Sequence, residues 1–446
     1  MKVSHTSPHL DIAFDDPNLV AHAGLDLPLS LARRLGLPGL VADQLDLGRV
    51  AGAANPATKA MTLIAGLLAG GDCIDDVDML RSGGTAAVLG HAPAAPSTVG
   101  TFLRAFTWGH SRQLDAVSGE LLRRAWVAGA GPGDQPLTID ADSTVCETYG
   151  TRKEGGVRFT YTGTRGYHPL VAIAAGTGDL LHARLRGGSA NTQRGAGSFL
   201  RETFSRVRSA GATGKLTLRA DSGFYGTAVL DACTQSDVRF SVTVRLCRAL
   251  HQAIAEIPDG DWTPIPYWLE GSADVAETSY VPFASRGRRT AYRLLVRRVM
   301  PTPGSQLALK GIGYTYHALI TDREGEMLEL EADHRRHAEV EQGILELKEG
   351  VALRHLPSGR FAANAAWLAF NAMAHNLARW LTRLGLQLPL LRTKSLRARL
   401  VALPGRLARS GRRQRLHLPT RWPWKQHYLD ARERIASLPD ATVLTA

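Results

Sequence analysis

Leu137-Thr138-Ile139-Asp140-Ala141-Asp142-Ser143-Thr144 is the stretch whose reading decides the fold. In an extended strand alternate side chains share a face, so Leu137, Ile139 and Ala141 point one way, Asp140 and Asp142 the other. A carboxylate on an otherwise apolar strand is costly unless it is paired or binds a cation. Asp142 lies nearer the C-terminal end, where open α/β sheets present their sites. The same residues also suit an Asx-turn that closes a strand, and the motif alone leaves both possibilities open.

Upstream, Gly129-Ala130-Gly131-Pro132-Gly133 punctuates the chain, and the signals before it are helical. Leu29, Leu31, Leu35 and Leu37 open a leucine-rich stretch, Ala60 to Leu68 is an apolar run, and Ser97-Thr98 offers an N-cap ahead of Val99, Phe102, Leu103 and Phe106. Residues 1–130 are therefore expected to form an all-helical N-terminal domain, a candidate DNA-binding domain, with little structure before residue 20. Downstream, strands are expected at 137–142, 157–162 and 170–174, the last with an extension at 180–185. An amphipathic helix follows at 191–209, with Phe199, Leu200, Phe204 and Val207 on its apolar side. A strand at 215–220, a short helix at 225–233 and a strand at 238–244 complete an α/β core over 131–249. Residues 250–327 break this rhythm and predict a β-rich insertion, with strand-like runs at 292–297 and 314–321. Helix returns at about 328–348 and again at 362–384, within a segment 328–385 that carries a third acidic stretch, and 386–446 is expected as a basic helical C-terminal region.

A second aspartate closes the strand Leu216-Thr217-Leu218-Arg219-Ala220 at Asp221, followed by Ser222-Gly223. Asp221 is equally placed to cap the short helix after it. The third acidic stretch runs from Asp333 to Lys348. At about 100° per residue, His334, His337 and Lys348 fall within about 40° of Glu341, whereas Glu339 and Glu346 face away. A solvated, charged helix face has the same pattern. A zinc site at His334 and His337 is a weaker option, because no further ligand is evident. Phosphodiester cleavage and strand transfer need no protein nucleophile, since two magnesium ions activate the attacking oxygen and stabilise the leaving one. Magnesium takes hard oxygen ligands, so a few carboxylates suffice.

Taken together, these stretches resemble the DDE transposases of bacterial insertion sequences. The nearest likeness is to the branch whose glutamate sits in a Tyr-x2-Arg-x3-Glu-x6-Lys helix. Glu341-x6-Lys348 has that spacing, and Tyr167-His168-Pro169-Leu170, Arg219-Ala220-Asp221-Ser222-Gly223-Phe224, Leu356-Pro357-Ser358-Gly359-Arg360-Phe361 and His375-Asn376-Leu377-Ala378-Arg379 are similar to family motifs. The likeness runs from about residue 20 to Lys425. It implies an RNase H-like catalytic core with a β-rich insertion before the glutamate. Asp142, Asp221 and Glu341 match the catalytic, metal-binding positions, with Asp140 a rival to Asp142. The implied cofactor is two Mg2+ ions, Mn2+ substituting. The implied activity is cut-and-paste transposition, in which terminal inverted repeats are bound and freed 3′-hydroxyls are joined to target DNA by a homodimer. The motif's Tyr and Arg positions are occupied here by His334 and His337. A DNA-binding derivative without chemistry and a metal-dependent nuclease on the same core are the alternatives.

The charge agrees with a polyanionic partner. The chain carries a formal net charge of +12, and from Gly350 to Leu429 it has fifteen Lys or Arg and no Asp or Glu. Arg392, Lys394, Arg397, Arg399, Arg406, Arg409, Arg412 and Arg413 are candidate phosphate ligands, with His334, His337 and Lys348 nearer the carboxylates. Trp262 and Trp268 are candidates for stacking on an unpaired base, against the alternative of core packing. Four cysteines without a CxxC pair argue against a disulfide framework. There is no phosphate loop of the GxxxxGK[ST] type, so no nucleotide cofactor is expected. Neither a signal peptide nor an apolar run of membrane-spanning length is visible, which suggests a soluble intracellular protein without membrane contact; the resemblance implies a bacterial cytoplasmic, nucleoid-associated one.

Overall fold

The opening stretch forms strand β1 (Leu137–Ser143), around which a nine-stranded mixed sheet is organised. The computed structural model describes residues 10–149, 153–266, 272–302, 313–388 and 390–444. The other strands are β2 (Leu170–Ala174), β3 (Leu180–Arg184), β4 (Leu216–Ala220), β5 (Arg239–Thr243), β6 (Thr263–Ile265), β7 (Ala273–Tyr280), β8 (Tyr292–Val299) and β9 (Thr315–Thr321). Their order across the sheet is β6-β7-β8-β9-β5-β4-β1-β2-β3. The β1–β4 and β4–β5 pairs are parallel and the rest antiparallel. The fold is thus mixed α/β, and strands of the expected insertion continue the core sheet beyond β5 rather than forming a sheet of their own.

Two strand expectations need correction. Residues 170–185 are not one strand with an extension. Gly176 and Gly178 take φ of +76° and +71°, the left-handed region that suits glycine, and the chain reverses there into antiparallel β2 and β3. The strand expected at 157–162 shrinks to Arg158–Phe159, which joins Cys146–Glu147 and Arg165–Tyr167 in a small separate sheet.

Helices cover both ends of the chain. Helix α1 (Pro56–Ala69) and helix α2 (Trp108–Ala125) come from the N-terminal region, and α3 (Ala196–Ser209) and α4 (Thr227–Gln235) make the crossovers from β3 to β4 and from β4 to β5. The helix expected at 328–348 is broken. It comprises α5 (Met327–Arg335), a 3-10 turn at Arg336–Ala338, α6 (Glu339–Leu345) and a π-turn at Glu346–Gly350. Helix α7 (Phe361–Trp380) is buried around most of its circumference, including Trp367, Phe370 and Trp380, and packs on α1, α2 and β3. It also finishes the sheet's edge, because the Asn376 side-chain amide accepts from Leu180 N and donates to Leu180 O. One hydrophobic cluster runs from Val20 to Leu444, so the boundary expected near residue 130 has no break in the core beneath it.

The C-terminal region is not wholly helical. Gly405–Ser410 and Arg413–His417 form an antiparallel hairpin to which Leu19–Val20 adds a third strand, and helix α8 (Lys425–Ser437) follows. Gly411, at φ +59°, sits in the two-residue turn where β-hairpins favour such conformations. The clustered arginines masked this hairpin, whose two strands are only six and five residues long.

Candidate active site

Register puts the site together. Asp140 of β1 lies opposite Arg219 of β4, and Arg219 lies opposite Ser241 of β5. Partners across parallel strands share a face, so a polar stripe of Asp140, Arg219 and Ser241 crosses the sheet. The residues two positions on are Asp142, Asp221 and Thr243. The last pair in register is Ala141–Ala220, so Asp142 and Asp221 emerge side by side where the two parallel strands end. The opposite face, with Ile139, Ala141, Leu218 and Ala220, is fully buried and apolar.

Asp140 is consumed by structure. Its two oxygens accept from Nε and Nη2 of Arg219, both at 2.8 Å, and both side chains are almost fully buried. His337 Nδ1 lies 2.9 Å from Asp140 Oδ1, and Asp333 engages Arg219 from the end of α5. Asp140, the rival to Asp142 as a metal ligand, has three of its acceptor positions taken by a guanidinium and an imidazole.

The His337–Asp140 contact also sets the height of α6. Glu341 stands four residues beyond His337 and Asp142 two beyond Asp140, and the charge of Glu341 reaches Asp142. Gly343 lets the helix approach the sheet, because a Cβ there would lie 2.6 Å from Ile173 Cδ1 of β2.

The electrostatics agree. The Asp142 carboxyl is pushed up to about 6, first by burial and then by the negative charges of Asp221 and Glu341, with Ser143 N and His337 opposing. Among the described residues, Asp142 Oδ1 accepts only from Ser143 N, at 2.6 Å, and Asp221 Oδ1 only from Gly223 N, at 2.9 Å. Glu341 makes no hydrogen bond or ion pair among the described residues. The result is three hard oxygen donors with mutual repulsion and no full cation among their own partners, a set whose chemistry fits a divalent ion. A link from Ser143 Oγ to Thr192 Oγ1 at 3.1 Å ties the end of β1 to the loop facing Gly223.

Other expected site residues scatter. His334 is a correction to the helix-face reading: its ring nitrogens meet Ser241 Oγ at 2.7 Å and Thr243 Oγ1 at 2.9 Å, and burial pushes it down to about 3, so it is a neutral wedge between helix and sheet. The 3-10 turn after α5 breaks the uniform rotation that had put it on the Glu341 face. Arg397 is a second correction. It donates to Leu67 O, Leu68 O and Gly350 O, capping α1 and the π-turn from within. Arg392, Lys394, Arg399, Arg406, Arg409, Arg412 and Arg413 remain exposed. Trp262 is covered on the protein side, with the Arg298 guanidinium 4.3 Å from its ring centre and Tyr316 at 6.4 Å. Trp268 lies outside the described residues. Lys348 lines a cavity of about 1190 Å³ with Arg104, Lys153 and Arg354.

Two neighbours of the carboxylates were not singled out from sequence. Arg219 alternates with Asp221 on one strand face, a signal visible only once Asp140 is known to lie opposite it. Tyr161, exposed on the small sheet's hairpin, has its hydroxyl pushed up by burial and by Asp142 and Asp221. No sequence pattern marks it. Among the described residues, Asp142, Asp221 and Glu341 do not form a group whose donor atoms all lie within 4.8 Å of one another; Asp72, Cys73 and Asp76 do, and so does the cluster of Asp115, His182 and Glu202. Arg206, Arg112 and Arg184 already neutralise its carboxylates, at 2.6, 2.9 and 2.5 Å, which makes it an ion-pair network between α2, β3 and α3.

No curated protein matches this chain. Among solved structures, the cryo-EM structure of the piggyBac transposase synaptic complex with hairpin DNA is similar at a TM-score of 0.42 and 13% sequence identity, over 85% of this chain and 79% of that one. The family model described as transposase DDE domain group 1 matches residues 3–440. Because that match spans nearly the entire sequence, this chain belongs to the transposase DDE domain group 1 family.

Proposed function

We propose that this chain is a cut-and-paste DNA transposase of a bacterial insertion sequence, from the branch with a Tyr-Arg-Glu-Lys signature. On this proposal β3-β2-β1-β4-β5 is an RNase H-like core and β6 to β9 belong to its insertion. The observation that carries it is the adjacency of Asp142 and Asp221 at the ends of two parallel strands, facing the helix of Glu341. Asp142, Asp221 and Glu341 would hold two Mg2+ ions, with Mn2+ substituting. When bound, the ions supply activation of the attacking oxygen and stabilisation of the leaving one.

The remaining residues orient the reaction. His337 holds α6 to β1 through Asp140, so it positions the carboxylate of Glu341 rather than gripping phosphate. Lys348, with Lys153 and Arg354 around the same cavity, is placed to hold DNA backbone. Exposed arginines of the C-terminal region add affinity for duplex DNA without choosing sequence. Residues 1–130 are proposed to help select the terminal inverted repeats. Two element ends must be held together, which favours a homodimer on DNA in the bacterial nucleoid. No described helix is long and apolar enough to cross a membrane.

The test is Glu341→Gln assayed on DNA carrying the element's own ends. The variant is expected to bind those ends normally and to lose Mg2+-dependent cleavage by a hundredfold or more, the loss of several kcal/mol of transition-state stabilisation. Strand transfer at the wild-type rate would refute the assignment. Precleaved ends separate the alternatives: a nuclease gives no joined product, and a binding-only derivative gives neither cutting nor joining.

A further inference from the structure

Arg406 of the C-terminal hairpin pairs with Asp16 at 2.8 Å, but Arg409, Arg412, Arg413 and Arg415 have no acidic partner among the described residues, and every residue from Arg409 to Arg415 is exposed. Four uncompensated guanidiniums on seven consecutive residues repel one another. A fold keeps such a cluster at low cost only in water or against a polyanion.

Register separates the hairpin's two faces. Leu407 lies opposite Leu416, and both are partly buried against the core, with Leu407 packed close to Gly84. This pair anchors the root. Ala408–Arg415 and Ser410–Arg413 fall on the other face, while Arg409–Gln414 continues the anchored face out to the tip at Gly411-Arg412. The ribbon therefore projects roughly 10 Å beyond its leucine anchor, at about 3.4 Å per residue, on two backbones about 5 Å apart. The major groove of B-DNA is about 12 Å wide and 8.5 Å deep and admits a two-stranded ribbon, whereas the minor groove, about 6 Å wide, takes one only when the duplex is bent or widened.

We propose that the hairpin Gly405–His417 docks tip-first into the major groove of duplex DNA, with Arg412, Arg413 and Arg415 reaching into the groove and its phosphate walls and Arg409 on the flanking backbone. This rests on the transposase assignment above and adds a binding element of defined shape to it. Arginine is the residue type for the purpose, since its planar fork bridges phosphate oxygens or the O6 and N7 of guanine.

The experiment uses the full-length chain and a fluorescently labelled mixed-sequence duplex in chelator, so that chemistry plays no part. The Arg409→Gln, Arg412→Gln, Arg413→Gln, Arg415→Gln quadruple variant is expected to bind at least tenfold more weakly at physiological salt. Its plot of log affinity against log salt should be flatter by about 3 to 4, close to one for each phosphate that the variant no longer neutralises. Replacing the same four by lysine should restore the slope, and thermal melting should show both variants folded. Methyl green, which occupies the major groove, should displace the wild type, and distamycin, which fills the minor groove, should not. Unchanged affinity and slope in the folded glutamine variant would overturn the proposal, as would displacement by distamycin alone, and in either case the transposase assignment would stand. A wild-type chain with no affinity for duplex DNA would overturn both.

Discussion

His337 Nδ1 lies 2.9 Å from Asp140 Oδ1, and this contact joins the helix of Glu341 to the strand of Asp142. Asp140 is buried and already paired with Arg219, so its orientation is fixed and the imidazole docks on a rigid partner. His337→Ala should leave the protein folded but lower DNA joining about ten- to a hundredfold, the range seen when residues that orient metal ligands are removed. The Mg2+ concentration needed for half-maximal activity should rise with it. His337→Asn, which can still donate to Asp140, should recover part of both. An unchanged Mg2+ dependence in the alanine variant would mean that the contact does not position Glu341.

Helix α6 sits close to the sheet because residue 343 has no side chain. Gly343→Leu should cost about 1–3 kcal/mol through overpacking against Ile173 and tilt Glu341 away from Asp142. Activity should fall further than stability does. Ile173→Ala in the same molecule should return most of the activity, a coupling that urea denaturation and joining assays on the four-member cycle would measure. Additive losses would show that the crowding lies elsewhere.

The Asp140–Arg219 pair predicts an asymmetric response to substitution. Arg219→Met leaves a carboxylate uncompensated in the core and should cost about 3–5 kcal/mol. Combining it with Asp140→Leu should cost less than the single change, because removing both partners leaves no orphan charge. Denaturation midpoints check this. A double variant less stable than either single one would contradict a burial-driven penalty.

His334 predicts a pH dependence. Its folded value of about 3 lies below the ordinary 6.5, held there mainly by burial and then by His337 and Arg219, against the opposing pull of Asp140 and Asp333. Between those values the unfolded chain binds a proton that the folded chain does not, so stability falls as pH drops below 6.5. The slope from this residue approaches about 1.4 kcal/mol per pH unit. His334→Gln should be less stable than wild type at neutral pH, having given up part of the bridge between Ser241 and Thr243, and the gap should narrow on acidification. Parallel melting-temperature curves for the two proteins down to pH 4.5 would refute this.

Much of the core was legible because its signals are local. The strand ending in Asp142, the strand ending in Asp221 and the helix α7 each show in the alternation or periodicity of their own side chains. The broken helix around Glu341 was harder. Uniform rotation places His334 with Glu341, but the 3-10 turn at Arg336–Ala338 turns it toward Ser241 and Thr243. Arg397 read as one more surface cation because composition cannot register that carbonyls of α1 end beside it. The hairpin at 405–417 escaped notice for a similar reason, since its apolar anchor is a single leucine pair.

By itself the sequence determined that two aspartates would stand on one face of one strand, since alternation is a property of the strand alone. Which of them is neutralised depended on the neighbouring strand, which brings a guanidinium opposite Asp140 and a second carboxylate beside Asp142. Identical side chains two residues apart are equivalent until a partner breaks the tie, and partners remote in sequence are supplied only by the folded sheet.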